Sequence, residues 1–319
     1  TATISRAEQQ VRHLYARENT TLFPPPGFDA NSSFFAEESR DEEKNLRPGR
    51  IYVGVMAPGH FSLQTTEARV FANLLQWPNS SVLSAEEKDP WWTLLCFFNS
   101  LRELGSASTL LLADAREYLR VISDRHNSCD SDELLQIRSP FVEELTSRIL
   151  SDEISDKLLQ LGQPYRDMPE DDTQWDWDKR PVDVCLASSI IEVGVDVPRL
   201  SLMTVVGQPK TTAQYIQVTS RIGRKQDRPG LVFTLYGTGK SRDRSHYEKF
   251  RSYHQKVYSF VEPTSVTPFS IPAIERSLHA LLVTYIRHNT ELTAGAQNPS
   301  PIPFQLRPNL RENFEKLLL

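Results

Sequence analysis

The sequence is poor in cysteine: its 319 residues include only Cys96, Cys129 and Cys185. An odd number of widely separated cysteines fits neither a disulfide framework nor a zinc site, and the histidines show no metal-ligand spacing. No apolar run approaches the roughly 20 residues of a membrane-spanning helix. The opening TATISRAEQQVRHL lacks the apolar core and cleavage site of a secretory signal. We therefore expect a cytoplasmic protein with no membrane contact and no metal site of its own.

Charge is distributed unevenly along the chain. The net charge is −5, yet residues 208–256 hold 11 Lys/Arg against 3 Asp/Glu, whereas residues 152–178 hold 2 against 9. A concentrated basic stretch in a mildly acidic protein is compatible with local contact to nucleic acid or a nucleotide. The same charge counts would result if the basic stretch paired with the acidic stretch of the chain. Charge alone does not decide between these alternatives.

The pattern of apolar residues predicts four regions. We expect a polar N-terminal segment or linker over 1–50, an accessory strand–helix segment over 51–90, a domain over 91–240 with an insertion at about 105–140, and a helical extension over 241–319. In the middle two regions, short apolar runs alternate with helical periodicity. This alternation predicts an α/β protein whose parallel sheet is covered by helices on both faces.

Polar residues follow the predicted strand Val182–Ala187. In an open parallel sheet, ligands bind outside the carboxyl ends of the strands. Ser188 and Ser189 are candidates to bond a phosphate or a neighbouring domain. Gly194 permits close backbone approach, and Asp196 is a candidate acceptor for a ribose hydroxyl. A plain turn that happens to contain a glycine and an aspartate explains the same pattern.

The next helix, predicted over Thr212–Arg221 and continuing to Arg224, carries two arginines and a glutamine. Gln217, Arg221 and Arg224 are four and three residues apart, which places them on one helical face. The positions four residues before the two arginines are Gln217 and Ser220, so neither arginine has a local acidic partner. Guanidiniums presented this way favour an external anion such as a triphosphate. Structural salt bridges remain the alternative.

Together these segments resemble a known family. ASSIIEVGVDVP is similar to motif V and QVTSRIGR to motif VI of superfamily 2 helicases and translocases, in the right order and about 30 residues apart. WWTLLCFFNS resembles the strand that bears motif IV, and EELTSRI resembles the segment expected between them. The likeness covers roughly Trp91–Tyr236. It implies the second RecA-like domain of such an enzyme.

The resemblance also implies roles. Arg224 would be the arginine finger, and Arg221 would contact the γ-phosphate and couple it to domain closure. Gln217 would orient nearby groups or water, while Gly194 and Asp196 would sense the ribose. Where many relatives have QRxGRxGR, this chain has Val218 and Ser220, so only the later arginines carry over.

A narrower likeness concerns VGQPKTTAQYIQVTSRIGR and the downstream RDRSHYEKFRSYHQKVYSFVEPTSVTPF, which resemble the large helicase of DISARM-type phage-defence systems. Lys210, Thr211 and Thr212, at the start of the motif VI helix, could contact a nucleic-acid phosphate. An ordinary helix N-cap is the alternative. The aromatic and basic residues of 242–261 are compatible either with a helix that faces nucleic acid or with one that docks its aromatic stripe into the domain.

Two elements of such an ATPase are missing from the sequence. It contains no GxxxxGK[ST] loop and no DE-type acidic box at the end of an apolar strand. We therefore expect the C-terminal part of a larger enzyme, inactive alone, in which ATP and Mg²⁺ are held mainly by an N-terminal RecA-like domain of the same protein. Expected partners are nucleic acid, with DNA favoured over RNA, and other defence proteins. The alternatives are a non-catalytic RecA-like module that binds nucleic acid or protein, and a translocase that remodels complexes without separating strands.

Overall fold

The computed structural model describes residues 4–23, 25, 28, 32, 34–35, 37–60, 62–79, 83–127, 137–167, 179–189, 196–225, 228–263 and 266–289. The chain divides into two compact units. One comprises residues 1–5 and 26–262, and the other comprises residues 6–25 and 263–319. The predicted site residues all belong to the first unit, which contains the sheet.

Six parallel strands form one sheet in the first unit. Their bounds are β1 (Ile51–Met56), β2 (Leu94–Phe98), β3 (Val142–Leu145), β4 (Val184–Ala187), β5 (Leu202–Val206) and β6 (Leu231–Tyr236). Their order is β1-β6-β5-β2-β4-β3, with every neighbouring pair parallel. All strands therefore begin at one end of the sheet, called here the amino end, and finish at the opposite carboxyl end.

The described residues also form ten helices. They are α1 (Ala7–Tyr15), α2 (Leu63–Gln76), α3 (Ala85–Trp92), α4 (Leu101–Leu110), α5 (Arg116–Asn127), α6 (Ser151–Leu161), α7 (Thr212–Thr219), α8 (Ser241–Glu248), α9 (Phe250–Gln255) and α10 (Ile271–Asn289). Of these, α2 to α9 belong to the same unit as the sheet. A π-helical turn, Leu111–Ala115, joins α4 to α5, and short 3-10 segments occupy Trp77–Asn79 and Val257–Phe260. None of the helices within the described ranges combines the length and apolar character that crossing a membrane requires.

Both faces of the sheet are covered, as its apolar strands require. Alternate residues of β2 point to opposite faces. Cys96 and Phe98 pack in a core with α2, α4 and α5, whereas Leu95 and Phe97 pack in a second core with Tyr215 of α7 and residues from α6. The predicted fold class is confirmed: this is a RecA-like parallel sheet between two helical layers.

Several local expectations differ from the structure. Helix α7 ends at Thr219 rather than Arg221. The region predicted as an insertion is helical through residue 127, and its status as an insertion stays a prediction. The single helix expected over 242–261 is divided into α8, α9 and the 3-10 segment. Residues 241–262 lie in the same unit as the sheet, whereas α1 and α10 belong to the second unit.

A buried ion pair lies at the amino end of the sheet. Asp183 directly precedes β4, and the Arg138 guanidinium donates to its Oδ1 at 2.6 Å. Arg138 also donates to the carbonyls of Leu75 and Trp92, at 2.8 and 2.7 Å, and stacks 3.6 Å from the Trp92 ring centroid. Because burial disfavours the charged form, the pKa of Arg138 is lowered, an effect opposed by the Asp183 charge.

A second buried arginine lies nearby, just before β5. Arg199 donates to the carbonyl of Leu161 at 3.0 Å and to the Asp89 carboxylate at 3.2 Å. Arg228 donates to the other Asp89 oxygen at 3.0 Å. These contacts join α3, the end of α6 and the segments before β5 and β6 at the amino end.

We expect Asp183→Asn to lower the free energy of unfolding of the 319-residue chain by about 3–5 kcal/mol, because it leaves the Arg138 charge buried without its counter-charge. Urea denaturation followed by circular dichroism measures this change. The control is Glu117→Gln, which removes an exposed pair with Arg120 and should change the value by less than about 0.5 kcal/mol. If the two substitutions lowered the free energy of unfolding equally, the buried Arg138–Asp183 pair would matter no more to stability than an exposed one.

Candidate nucleotide and nucleic-acid site

The predicted site residues lie at opposite ends of the sheet. Helix α7 follows β5, so it begins at the carboxyl end and runs back toward the amino end. Its eight residues span about 12 Å. Lys210, Thr211 and Thr212 are at its start, with Ser188 and Ser189 also at the carboxyl end. Gln217, Arg221, Arg224 and Asp196 belong to the other end.

At the amino end, Arg224 forms an ion pair with Asp196. The Nη1–Oδ1 distance is 2.7 Å, and Arg224 Nε donates to the Ser220 carbonyl at 3.0 Å. Arg224 has no local acidic partner, as expected, but Asp196, from a distant part of the sequence, pairs with it. Both side chains keep solvent access, 31% exposed for Arg224 and 58% for Asp196. The pair thus joins the two sequence motifs and stays open to exchange with an external anion.

The premise that Gln217, Arg221 and Arg224 share one helical face is wrong. Helix α7 stops at Thr219, and the Arg221 amide turns back to the Val218 carbonyl at 3.1 Å. Gln217 is half-buried on the helix, whereas the half-buried Arg221 and exposed Arg224 lie in the turn that follows. This turn, and not helical periodicity, orients the two arginines.

Gly223 fixes the shape of that turn. Its φ of 58° lies in the left-handed region, and its amide donates to the Leu200 carbonyl at 2.9 Å. A Cβ at this position would overlap the backbone of Gly230. The glycine therefore permits the close approach that holds Arg221 and Arg224 against the segments preceding β5 and β6.

At the carboxyl end, the start of α7 is already capped. Thr211 is the N-cap, and its hydroxyl accepts from the Gln214 amide at 3.1 Å. The Thr212 amide donates to both carboxylate oxygens of Glu262, each at 2.9 Å. Lys210 is exposed. Thr211 thus acts as the N-cap of α7, its contact with a phosphate stays a prediction, and the sequence gave no indication of Glu262.

The serines after β4 differ from one another. Ser188 is buried and its amide donates to the Leu145 carbonyl at 3.4 Å, whereas Ser189 is exposed. Gly194 lies outside the described residues. Ser189 is thus the accessible member of the pair at the carboxyl end.

A polar cluster that the sequence did not indicate lies beside these residues. Lys240 Nζ donates to Glu103 at 2.6 Å, so the lysine of GTGKS is held by an acid of α4. Asn99 donates to the carbonyls of Val206 and Gly207 after β5, at 2.9 and 3.1 Å. Glu67 of α2 is buried next to this pair, and burial first, with the Glu103 charge second, raises its pKa to about 7.

Most of the aromatic stripe of α8 and α9 packs into the domain. Tyr253 is buried, and its hydroxyl donates to Thr212 Oγ1 at 3.3 Å. His254 donates from Nδ1 to the Phe250 carbonyl and accepts from the Tyr215 hydroxyl at Nε2, at 2.8 and 2.9 Å. This bonding matches a neutral ring, and burial lowers its pKa. The docking alternative holds for these residues.

Within the described part of the chain, no three His, Cys, Asp or Glu residues come together as a metal-binding group. Cys96 and Cys185 are buried free thiols whose pKa values are raised by burial. The exposed side chains of Arg224 and Lys210 are groups of the site that suit phosphate.

We expect Gly223→Ala to destabilise the chain by about 2–4 kcal/mol, because alanine is strained in the left-handed region and its methyl would overlap Gly230. Thermal and urea unfolding measure the loss. Gly59→Ala is the control, since no described atom lies within 4 Å of its added methyl. An unchanged free energy of unfolding for Gly223→Ala would show that the turn accommodates the added methyl group without strain.

The raised pKa of Glu67 gives a pH prediction. Its stabilising contribution is present below the unfolded value of 4.5 and is lost as pH rises through about 7, a loss on the order of 3 kcal/mol. Glu67→Gln should flatten the fall in unfolding free energy between about pH 5 and about pH 8. Urea melts at both pH values test this, and an unchanged pH dependence would mean that Glu67 ionises normally.

Comparison of the sequence with known proteins finds a matching family domain and a related protein. Residues 160–226 match the helicase conserved C-terminal domain. Over 291 residues, 90% of this chain, the sequence is 41% identical to DISARM protein DrmA of Bacillus paralicheniformis, of which it covers 24%. The chain thus spans about a quarter of the length of this relative.

Solved helicase structures show weaker likeness. Helicase Lhr of Mycobacterium smegmatis, bound to ssDNA and AMP-PNP, aligns with 75% of this chain and 25% of its own at 13% identity and a TM-score of 0.46. DUF1998 helicase MrfA, bound to DNA and AMPPNP, aligns with 73% and 26% at 12% identity and a TM-score of 0.44. These likenesses are too distant to transfer residue roles. Over 90% of its length the chain is related to DISARM protein DrmA, and it carries the helicase conserved C-terminal domain at residues 160–226.

Proposed function

We propose that this chain is the second motor domain of an ATP-dependent helicase or translocase that moves along DNA. The observation that carries the proposal is the Arg224–Asp196 pair at 2.7 Å. This pair joins an arginine of the segment that resembles motif VI, on the turn that contains Gly223, to an aspartate of the segment that resembles motif V, and it is open to solvent. A solvent-accessible guanidinium next to a carboxylate is suited to exchange that carboxylate for a triphosphate.

The residues at the amino end of the sheet would complete an ATP site from one side. Arg224 would stabilise the charge that develops on the transferring phosphoryl group, and Arg221 would contact the γ-phosphate. Asp196, released from Arg224, would accept a hydrogen bond from the ribose. Gln217 would orient water or a neighbouring side chain, and Gly194 would permit close approach. In this arrangement the arginine changes partner from Asp196 to nucleotide as two domains close.

The chain by itself would not hydrolyse ATP. Its guanidiniums fit the anionic part of ATP, but the described residues include no carboxylate group that fits Mg²⁺. The sequence also has no phosphate-cradling loop. Since the chain covers 24% of its relative DrmA, we propose that an N-terminal RecA-like domain of the same full-length protein holds ATP and Mg²⁺ and supplies the acidic box.

Nucleic acid would bind at the carboxyl end of the sheet. Ser189 and Lys210 are exposed there, and the start of α7 contributes Thr211 and Thr212. Buried Ser188 would support the loop rather than contact a phosphate. DNA is favoured as the polymer. The likeness to a DISARM protein supports a role in antiviral defence with partner proteins, and the few, widely separated cysteines support a cytoplasmic location. Unwinding and remodelling without strand separation are both compatible with this site.

The rival proposal is a non-catalytic module that binds nucleic acid or protein. One observation favours it: both the finger arginine and the start of α7 are already satisfied by carboxylates of the same chain. A module that never meets a nucleotide would keep these contacts permanently. The two proposals therefore predict different results for substitution of Arg224: a large loss of ATP hydrolysis for the motor domain, and little change for the binding module.

In the full-length protein, Arg224→Ala should lower the kcat of DNA-stimulated ATP hydrolysis by about 10³-fold or more, as expected of an arginine finger. Steady-state hydrolysis with saturating single-stranded DNA measures it. Lys225→Ala is the control, because Lys225 is the adjacent exposed cation and should leave kcat within about twofold. A loss of less than about threefold for Arg224→Ala would refute the finger assignment and favour the binding module.

A further inference from the structure

Arg50, the residue directly before β1, contacts the turn that carries two of the site arginines. Its Nε donates to the Ile222 carbonyl at 2.8 Å, although the two residues are 172 positions apart in the sequence. Ile222 is completely buried and lies between Arg221 and Arg224 in this turn. The half-buried Arg50 therefore bonds to the backbone that presents both arginines.

The pairing of β1 with β6 places Arg50 against this turn. Ile51 is opposite Leu231, and the Ile51 amide donates to the Gly230 carbonyl at 2.8 Å. Because the two strands are parallel and in this register, the residues that precede them lie side by side. A Cβ at Gly230 would come within 2.9 Å of Arg50 Cγ, and Gly230 also packs against Gly223. The Arg50 stem thus occupies space that a side chain at position 230 would fill.

Arg50 and Leu200 bond to the two polar groups of a single peptide unit. The Ile222 carbonyl accepts from Arg50, and the Gly223 amide of the same planar unit donates to the Leu200 carbonyl at 2.9 Å. A planar unit that is bonded through both its carbonyl and its N–H cannot rotate without loss of a hydrogen bond. Loss of the donor to a carbonyl inside the protein also costs free energy. The orientation of this unit, directly before Arg224, therefore depends on Arg50.

We propose that Arg50 is a positioning residue for the arginine finger, because its bond to the Ile222 carbonyl sets the peptide plane from which Arg224 reaches the nucleotide. This inference rests on the proposed function, since it assumes that Arg224 stabilises the transferring phosphoryl group. It goes further, because Arg50 lies outside the matched residues 160–226 and in the segment 1–50 that the sequence indicated as a linker. Displacement of a catalytic group by about 1 Å can cost on the order of 10²-fold in rate.

Two neutral substitutions of Arg50 separate its hydrogen bond from its charge. Glutamine places an amide NH₂ at the same distance along the side chain as arginine Nε, whereas methionine places a methyl group there. In the full-length protein, Arg50→Met should lower the kcat of DNA-stimulated ATP hydrolysis by about tenfold to a hundredfold, because the finger is misplaced. Arg50→Gln keeps the donor, so its kcat should remain within about threefold of wild type.

The control is Arg47→Met, which makes the same chemical change at an exposed position. Arg47 Nε donates to the Arg40 carbonyl at 3.2 Å in the loop before β1. Its loss should leave kcat within about twofold of wild type, as is usual for a surface substitution. Thermal melts of the full-length protein check that each variant is folded. If Arg50→Met does not fold, Arg50→Lys replaces it, since lysine keeps the stem and the charge but has a methylene group in place of Nε.

A double-mutant cycle tests whether Arg50 acts through Arg224. When Arg224 is already alanine, Arg50→Met should lower kcat further by less than about twofold, because no finger remains to be positioned. A substitution that only destabilises the fold would lower kcat by the same factor in both backgrounds. Single-turnover hydrolysis with saturating single-stranded DNA measures the low rates of the double variant. Equal factors in the two backgrounds would overturn the proposal.

The outcomes distinguish this inference from the proposed function. If Arg224→Ala abolishes hydrolysis but Arg50→Met, or Arg50→Lys in its place, keeps a kcat within about twofold of wild type, the positioning role is refuted alone. Equal losses for Arg50→Gln and Arg50→Met would also refute it, because the charge of Arg50 and not its hydrogen bond would then matter. If Arg224→Ala itself has little effect, the finger assignment fails, and the positioning role fails with it.

Discussion

The structure depends on buried guanidinium–carboxylate contacts at the amino end of a parallel sheet. Sheet order β1-β6-β5-β2-β4-β3 requires strands distant in sequence to begin side by side. Arg138 binds Asp183 before β4 and also the carbonyls that end α2 and α3. Such an ion pair need not stabilise the fold more than apolar packing would. Loss of one partner, however, leaves the other charge buried and unpaired, so arrangements of the strands that separate Arg138 from Asp183 are strongly disfavoured.

The direction of α7 follows from this parallel arrangement and places the proposed nucleic-acid contact and the proposed nucleotide contact at opposite ends of the sheet. A helix that connects two parallel strands must run back along the sheet, from the carboxyl end to the amino end. Its first residues therefore lie with the strand ends that are proposed to meet nucleic acid. Its last residue leads into the turn that holds Arg221 and Arg224. A single short helix thus connects the proposed polymer contact to the proposed nucleotide contact.

Much of the fold was predictable, because fully buried strands such as LLCFF read as continuous apolar runs. That the segments resembling motifs V and VI bear the site stays a prediction. The end of α7 was not predictable from periodicity, since it is set by contacts of Gly223 with Leu200 and Gly230, residues that only the fold brings near. The same holds for the acidic partner of Arg224, which lies 28 residues earlier in the sequence.

The segments at the two ends of α7 show why a contact with a carboxylate of the same chain does not by itself identify a structural residue. Asp196 binds Arg224 at one end, and Glu262 binds the Thr212 amide at the other. A site shaped for anions retains its positive potential when the ligand is absent, and nearby carboxylates lower the free energy of that state. Because Asp196 is exposed, exchange of its carboxylate for a phosphate in the proposed nucleotide site would replace one anion contact with another, while the displaced carboxylate turns toward solvent. The intramolecular pairs are therefore consistent with a binding site at rest, and the affinity of a ligand is then set by the difference between two similar contacts.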